Sequence, residues 1–102
     1  MREDFVKLYE KFIDAWGLDS QILMCIEEMS ELTKELCKYS RYLGTDKESL
    51  VVNNIKEELG DVANTIEQLT HYFGEEDIMK IREYKMNRAS LSLKNNNDSV
   101  SN

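Results

Sequence analysis

VVNNIKEELGDVANTIEQLTHYF, residues 51–73, carries an apolar side chain every three or four positions along its whole length. Val52, Ile55, Leu59, Val62, Ile66, Leu69 and Phe73 fall on one stripe of an α-helix, with polar residues on the other faces. Thr45-Asp46-Lys47-Glu48 has the spacing of a capping box, and Gly74 suits the far end. A helix over about residues 46–73 follows.

The same period extends in both directions. Phe5, Leu8, Phe12 and Trp16 predict a helix over 3–16, closed by Gly17. Ile22, Ile26, Met29, Thr33 and Leu36 predict the inner face of a second helix over 19–40, capped by Asp19 or Ser20. Ile78, Ile81, Tyr84 or Lys85, and Arg88 predict a fourth helix over 75–92 with a thin apolar face. The chain has no proline, no strand pattern and no internal repeat. Short connections between long helices predict an all-α, four-helix antiparallel bundle. One domain spans 1–93, and the polar segment KNNNDSVSN, 94–102, reads as a disordered tail.

The formal net charge is −7 over 102 residues. This argues against nucleic acid or an anionic membrane as partner. No apolar run reaches the roughly 18 residues of a membrane span. MREDFVKLY at the start is charged, which does not fit a secretory signal. Cys25 and Cys37 lie about 18 Å apart on one helix, too far for a disulfide, and read as packing thiols in a reducing cytoplasm. His71 is the sole histidine and reads as structural.

The acids pose the functional question. IEEMSELTKEL, residues 26–36, places Glu27, Glu28 and Glu31 in one arc of the second helix. That arc lies opposite the stripe from Ile22 to Leu36, which taken alone reads as a solvated face, but Met24 and Tyr42 project into the same arc and suggest that something covers it. EELGD, 57–61, places Glu58 and Asp61 three apart, where two carboxylates can share a cation. Gly60 between them predicts close approach of a neighbouring helix. Carboxylates from two facing helices would form an oxygen-only cage, which suits Mg²⁺ or Mn²⁺ rather than Zn²⁺.

E-E-x-x-E followed on the next helix by E-x-x-D resembles the signature of the all-α nucleoside triphosphate pyrophosphohydrolases, the MazG-like enzymes and their dimeric dUTPase relatives. Here it reads Glu27-Glu28-Met29-Ser30-Glu31 and Glu58-Leu59-Gly60-Asp61, with similarity over about residues 5–93. The resemblance implies Mg²⁺-dependent hydrolysis of a nucleoside triphosphate to the monophosphate and pyrophosphate. It implies metal ligation by Glu28, Glu31, Glu58 and Asp61, and water activation by Glu27 or Glu31. Lys34, Lys38, Asn64, Lys85 and Arg88 are the candidate substrate contacts. Relatives carry Tyr-His after E-x-x-D when they act on phosphoribosyl-ATP; Asn64-Thr65 here disfavours that branch. Relatives assemble as dimers or dimers of dimers. Phe5, Phe12, Ile13, Trp16, Leu23 and Leu32 exceed what a thin bundle covers and predict the same for this chain. The alternative expectation is a non-catalytic helical module that binds a nucleotide or a protein.

Overall fold

The structure, a computed structural model, describes residues 1–100, with side chains described through residue 96. It contains four helices and, among the described residues, no strand: α1 Glu3–Trp16, α2 Leu18–Tyr42, α3 Glu48–Phe73 and α4 Glu75–Val100. The chain divides into two compact units, Met1–His71 and the part from Tyr72 onward.

A single residue joins α1 to α2. Gly17 has φ 87° and ψ 150°, a region that only glycine occupies without strain. Its N–H donates to the Ile13 carbonyl at 2.8 Å, closing α1. Its own carbonyl accepts from Gln21 N at 3.2 Å, opening α2. The expected cap at Asp19 or Ser20 is replaced by this glycine, because helix geometry begins at Leu18 and neither side chain caps it. The turn before α3 is also shifted from the ideal capping box. Thr45 Oγ1 accepts from Lys47 N at 3.2 Å, and Glu48 Oε1 accepts from Gly44 N at 3.0 Å.

In the first unit, Tyr9 is the buried centre of α1. Its hydroxyl donates to Glu67 Oε2 at 2.8 Å, and its carbonyl accepts from Gln68 Nε2 at 3.2 Å. His71 Nε2 meets Glu10 Oε1 at 2.9 Å, so α1 and α3 are tied at three points. The remaining buried residues are Gln21 and Cys25 on α2, with Val51, Thr65 and Gln68 on α3. Half of this interior is polar. Thr65 satisfies its hydroxyl on the Val62 carbonyl at 2.9 Å.

The face that α2 turns inward differs from the one its apolar pattern predicts. The protected positions are Leu18, Gln21, Ile22, Cys25, Glu28, Leu32, Glu35, Lys38 and Tyr42, so Ile22 of the expected stripe is half-buried. Ile26, Met29 and Leu36 from the expected inner stripe are exposed. On α3 the expected stripe is split in the same way. Ile55, Val62 and Leu69 are half-buried, while Leu59 and Ile66 are exposed.

In the second unit, α4 is exposed at every described side chain from Met79 to Asn96. It continues to Val100, through most of the segment expected as a tail. No glycine or proline interrupts it there. Residues 101–102 of that segment lie outside the described residues.

Gly60 does not mark a close approach. A β-carbon built there meets nothing within 4 Å among the described residues. Gly60→Ala is therefore expected to stabilise the protein by about 0.5–1 kcal/mol, through helix propensity alone. Gly17→Ala is expected to destabilise it by about 1–3 kcal/mol, because alanine is strained at that φ and ψ. Denaturation midpoints of the two variants should therefore move in opposite directions.

Candidate metal centre

Glu28, Glu58 and Asp61 converge. One carboxylate oxygen from each lies within 4.8 Å of the others. The inward rotation of α2 presents Glu28, and the i,i+3 spacing on α3 presents Glu58 and Asp61 together. Glu28 and Glu58 are half-buried, and Asp61 is exposed at the rim. Of the two readings of the acidic arc, a solvated face or half of a cluster with Glu58 and Asp61, the geometry at Glu28 fits the second, while Glu31 is exposed.

Both half-buried carboxyls are held above their ordinary value of 4.5. Desolvation is the largest cause in each case. Like charge follows: Asp61, Glu58 and Glu31 act on Glu28, which also shares a hydrogen bond with Asp61. Asp61, Glu31, Glu35 and Glu57 act on Glu58. Crowded carboxylates of this kind are relieved by a proton or by a cation.

Glu35 is the residue that the motif omits. It follows Glu28 by two turns and lies on the same inward side. Its side chain is only 12% exposed; Lys38 Nζ holds Oε1 at 3.2 Å. Its other oxygen, like Glu58 Oε2, is buried without a hydrogen-bond partner. Buried acceptors are rarely left so, and each calls for a donor or a cation. The i,i+7 spacing from Glu28 was the available signal.

The other candidates are dispersed. Glu31 is exposed, one turn beyond Glu28, and its charge reaches both Glu28 and Glu58. Glu27 and Lys34 are exposed on the flank of α2. Lys38 is partly exposed and tied to Glu35. Lys85 and Arg88 are exposed on α4, in the second unit, with the Arg88 guanidinium 5.9 Å from the Tyr84 ring centre.

Asn64 lies one turn after Asp61. It lines a cavity of about 260 Å³ with Phe5, Leu8, Tyr9 and Phe12. Burial and the Glu67 carboxylate push the Tyr9 phenol up to about 12, so it remains a donor committed to Glu67. The Asn64 carboxamide is then the side-chain group on this wall left to read a ligand. The chain therefore places an apolar, aromatic-walled recess one helical turn from a carboxylate cluster.

Comparison of the chain with protein-family models, with curated proteins and with solved structures finds no match in any of the three.

Proposed function

We propose that the protein hydrolyses a nucleoside triphosphate to the monophosphate and pyrophosphate, with Mg²⁺ or Mn²⁺ held at the acidic cluster. The observation that carries the reading is the convergence of Glu28, Glu58 and Asp61 from two helices. The E-E-x-x-E and E-x-x-D resemblance supports it, because these three are among the residues it implies as ligands. With it come the four-helix antiparallel arrangement and the homo-oligomer that the resemblance implies.

When bound, a divalent ion neutralises triphosphate charge and polarises phosphorus. Glu28, Glu58 and Asp61 hold the cation and fix its place. Glu31, at the rim, completes the ligand set or takes a proton from water, as Glu27 does in the variant of this reading. Water adds to the α-phosphorus, the bond to the bridging oxygen breaks, and pyrophosphate leaves. Lys38 offers its charge to the phosphates, with Lys34 as a further candidate on the same helix. The recess beside Asn64 takes the nucleoside end.

The test is a panel of canonical and modified triphosphates assayed for pyrophosphate with Mg²⁺ or Mn²⁺. Release from at least one member, lost on chelation, is expected. No release across the panel sinks the reading. Thermal shift then separates what remains: a nucleotide at 100 times its dissociation constant should add about 2.7 kcal/mol. Stabilisation without turnover would mark a non-catalytic nucleotide-binding module.

A further inference from the structure

Glu35 and Lys38 stand beside the acidic cluster without belonging to its converging three. Lys38 is partly withdrawn from water, while every other Lys and Arg among the described residues is exposed. Glu35 is drawn in further, its side chain 12% exposed against 35% for Lys38. Long charged side chains keep their heads in water unless something holds them. Here one oxygen of Glu35 holds the ammonium at 3.2 Å. Glu35 follows Glu31 by one turn of α2 and Glu28 by two.

The pair leaves the surroundings short of positive charge and of donors. Glu35 Oε2 and Glu58 Oε2 are both buried without a hydrogen-bond partner. The charge of Glu35 acts on Glu58, so the two carboxylates share one environment. Glu28, Glu35 and Glu58 are the half-buried acids there, and Lys38 is the half-buried cation. Three carboxylates against one ammonium leave two negative charges, which a single divalent cation neutralises.

We propose that Glu35 and Lys38 set how tightly the centre takes its cation. Glu35 is a positioning residue that draws the cation through Glu58 without touching it, and Lys38 is the resident counter-charge that opposes it. The proposal rests on the reading of the acidic cluster as a metal centre. Two neighbours on one helix then have effects of opposite sign. A partly desolvated carboxylate attracts a nearby divalent ion, a partly desolvated ammonium repels it, and salt screens neither fully. Glu35→Gln keeps the shape and removes the attraction. Lys38→Met keeps most of the stem and removes the repulsion. It also leaves Glu35 buried without its cation, a cost that a bound metal relieves. An ordinary surface ion pair gives neither effect, because such pairs contribute little and are screened.

Mn²⁺ binding to the full chain, followed by calorimetry and by the spin resonance of the free ion, tests this without turnover. The wild type is expected to bind. Glu35→Gln should weaken binding about three- to tenfold, and Lys38→Met should tighten it by a similar factor. Lys38→Arg keeps the charge and should bind as the wild type does. Melting gives a second readout: Mn²⁺ should raise the melting temperature more in Lys38→Met than in the wild type, and less in Glu35→Gln. If the wild type binds and both charge-removing variants match it, or both move in the same direction, the proposal is overturned and the metal centre stands. Where Lys38→Met fails to fold, wild-type affinity in Glu35→Gln overturns the proposal by itself. If the wild type takes up no Mn²⁺, the metal centre is overturned and the proposal falls with it.

Discussion

On the proposed function, Glu58→Gln is expected to lower metal-dependent pyrophosphate release by roughly a thousandfold, the several kcal/mol that an ion contributes to the transition state. The same change is expected to raise the melting temperature of the metal-free protein. Both follow from one arrangement. Glu58 sits with Glu28 and Asp61, feels Glu31, Glu35 and Glu57, and is partly withdrawn from water. A neutral amide of the same shape removes a repelled charge and can donate to a neighbouring carboxylate. It also removes a ligand. The pH dependence has a definite sign. Glu28 and Glu58 are held above 4.5, so the folded protein binds more protons than the unfolded chain just above that pH. Their contribution is most favourable below 4.5 and is lost as pH rises through the raised folded values. In Glu58→Gln this slope should be shallower. Thermal melts against pH in a chelator, beside turnover assays with Mg²⁺, measure both effects. A variant that is less stable without metal, or that keeps its turnover, would remove Glu58 from the site.

Tyr9→Ala is the substitution expected to cost the fold most, about 3–5 kcal/mol. Tyr9 is 5% exposed and lies where α1 meets α3. Its loss opens a large void in a small interior. Against a total stability of about 5–15 kcal/mol this removes a large share of the margin, and the variant should unfold at a markedly lower temperature. Tyr9→Phe keeps the ring and loses only the bond to Glu67, with an expected cost of about 1–2 kcal/mol. Urea titration of the two variants separates packing from the hydrogen bond. Equal costs would mean that the ring itself contributes little.

The helices were legible because helix formation is largely local. The apolar period, the absence of proline and the position of Gly17 mark α1, α2 and α3 to within a few residues of the observed ends. Glu58 and Asp61 were legible as a pair, because i,i+3 spacing fixes their common direction whatever the helix packs against. Tyr9 was missed as the centre of α1: the stripe through Phe5, Leu8, Phe12 and Trp16 leaves it to one side. In the structure Leu8 and Trp16 are exposed at 44 and 58%.

α2 shows where local reasoning ends. It has two coherent sides, one apolar and one acidic, and its own sequence makes them equally helical. Pattern rules bury the apolar side, since transfer of those side chains from water is favourable. The tertiary structure half-buries Glu28 and Glu35, with Cys25 buried and Ile22 and Leu32 half-buried, and leaves Ile26, Met29 and Leu36 exposed. That choice is not a property of one helix. It depends on what arrives from α3, about thirty residues along, where Glu58 and Asp61 bring their carboxylates to Glu28. The sequence by itself determined four helices and the spacing of the acids. Only tertiary packing decided which side of α2 faces in, because the direction of a helix face is set by what the neighbouring helices cover.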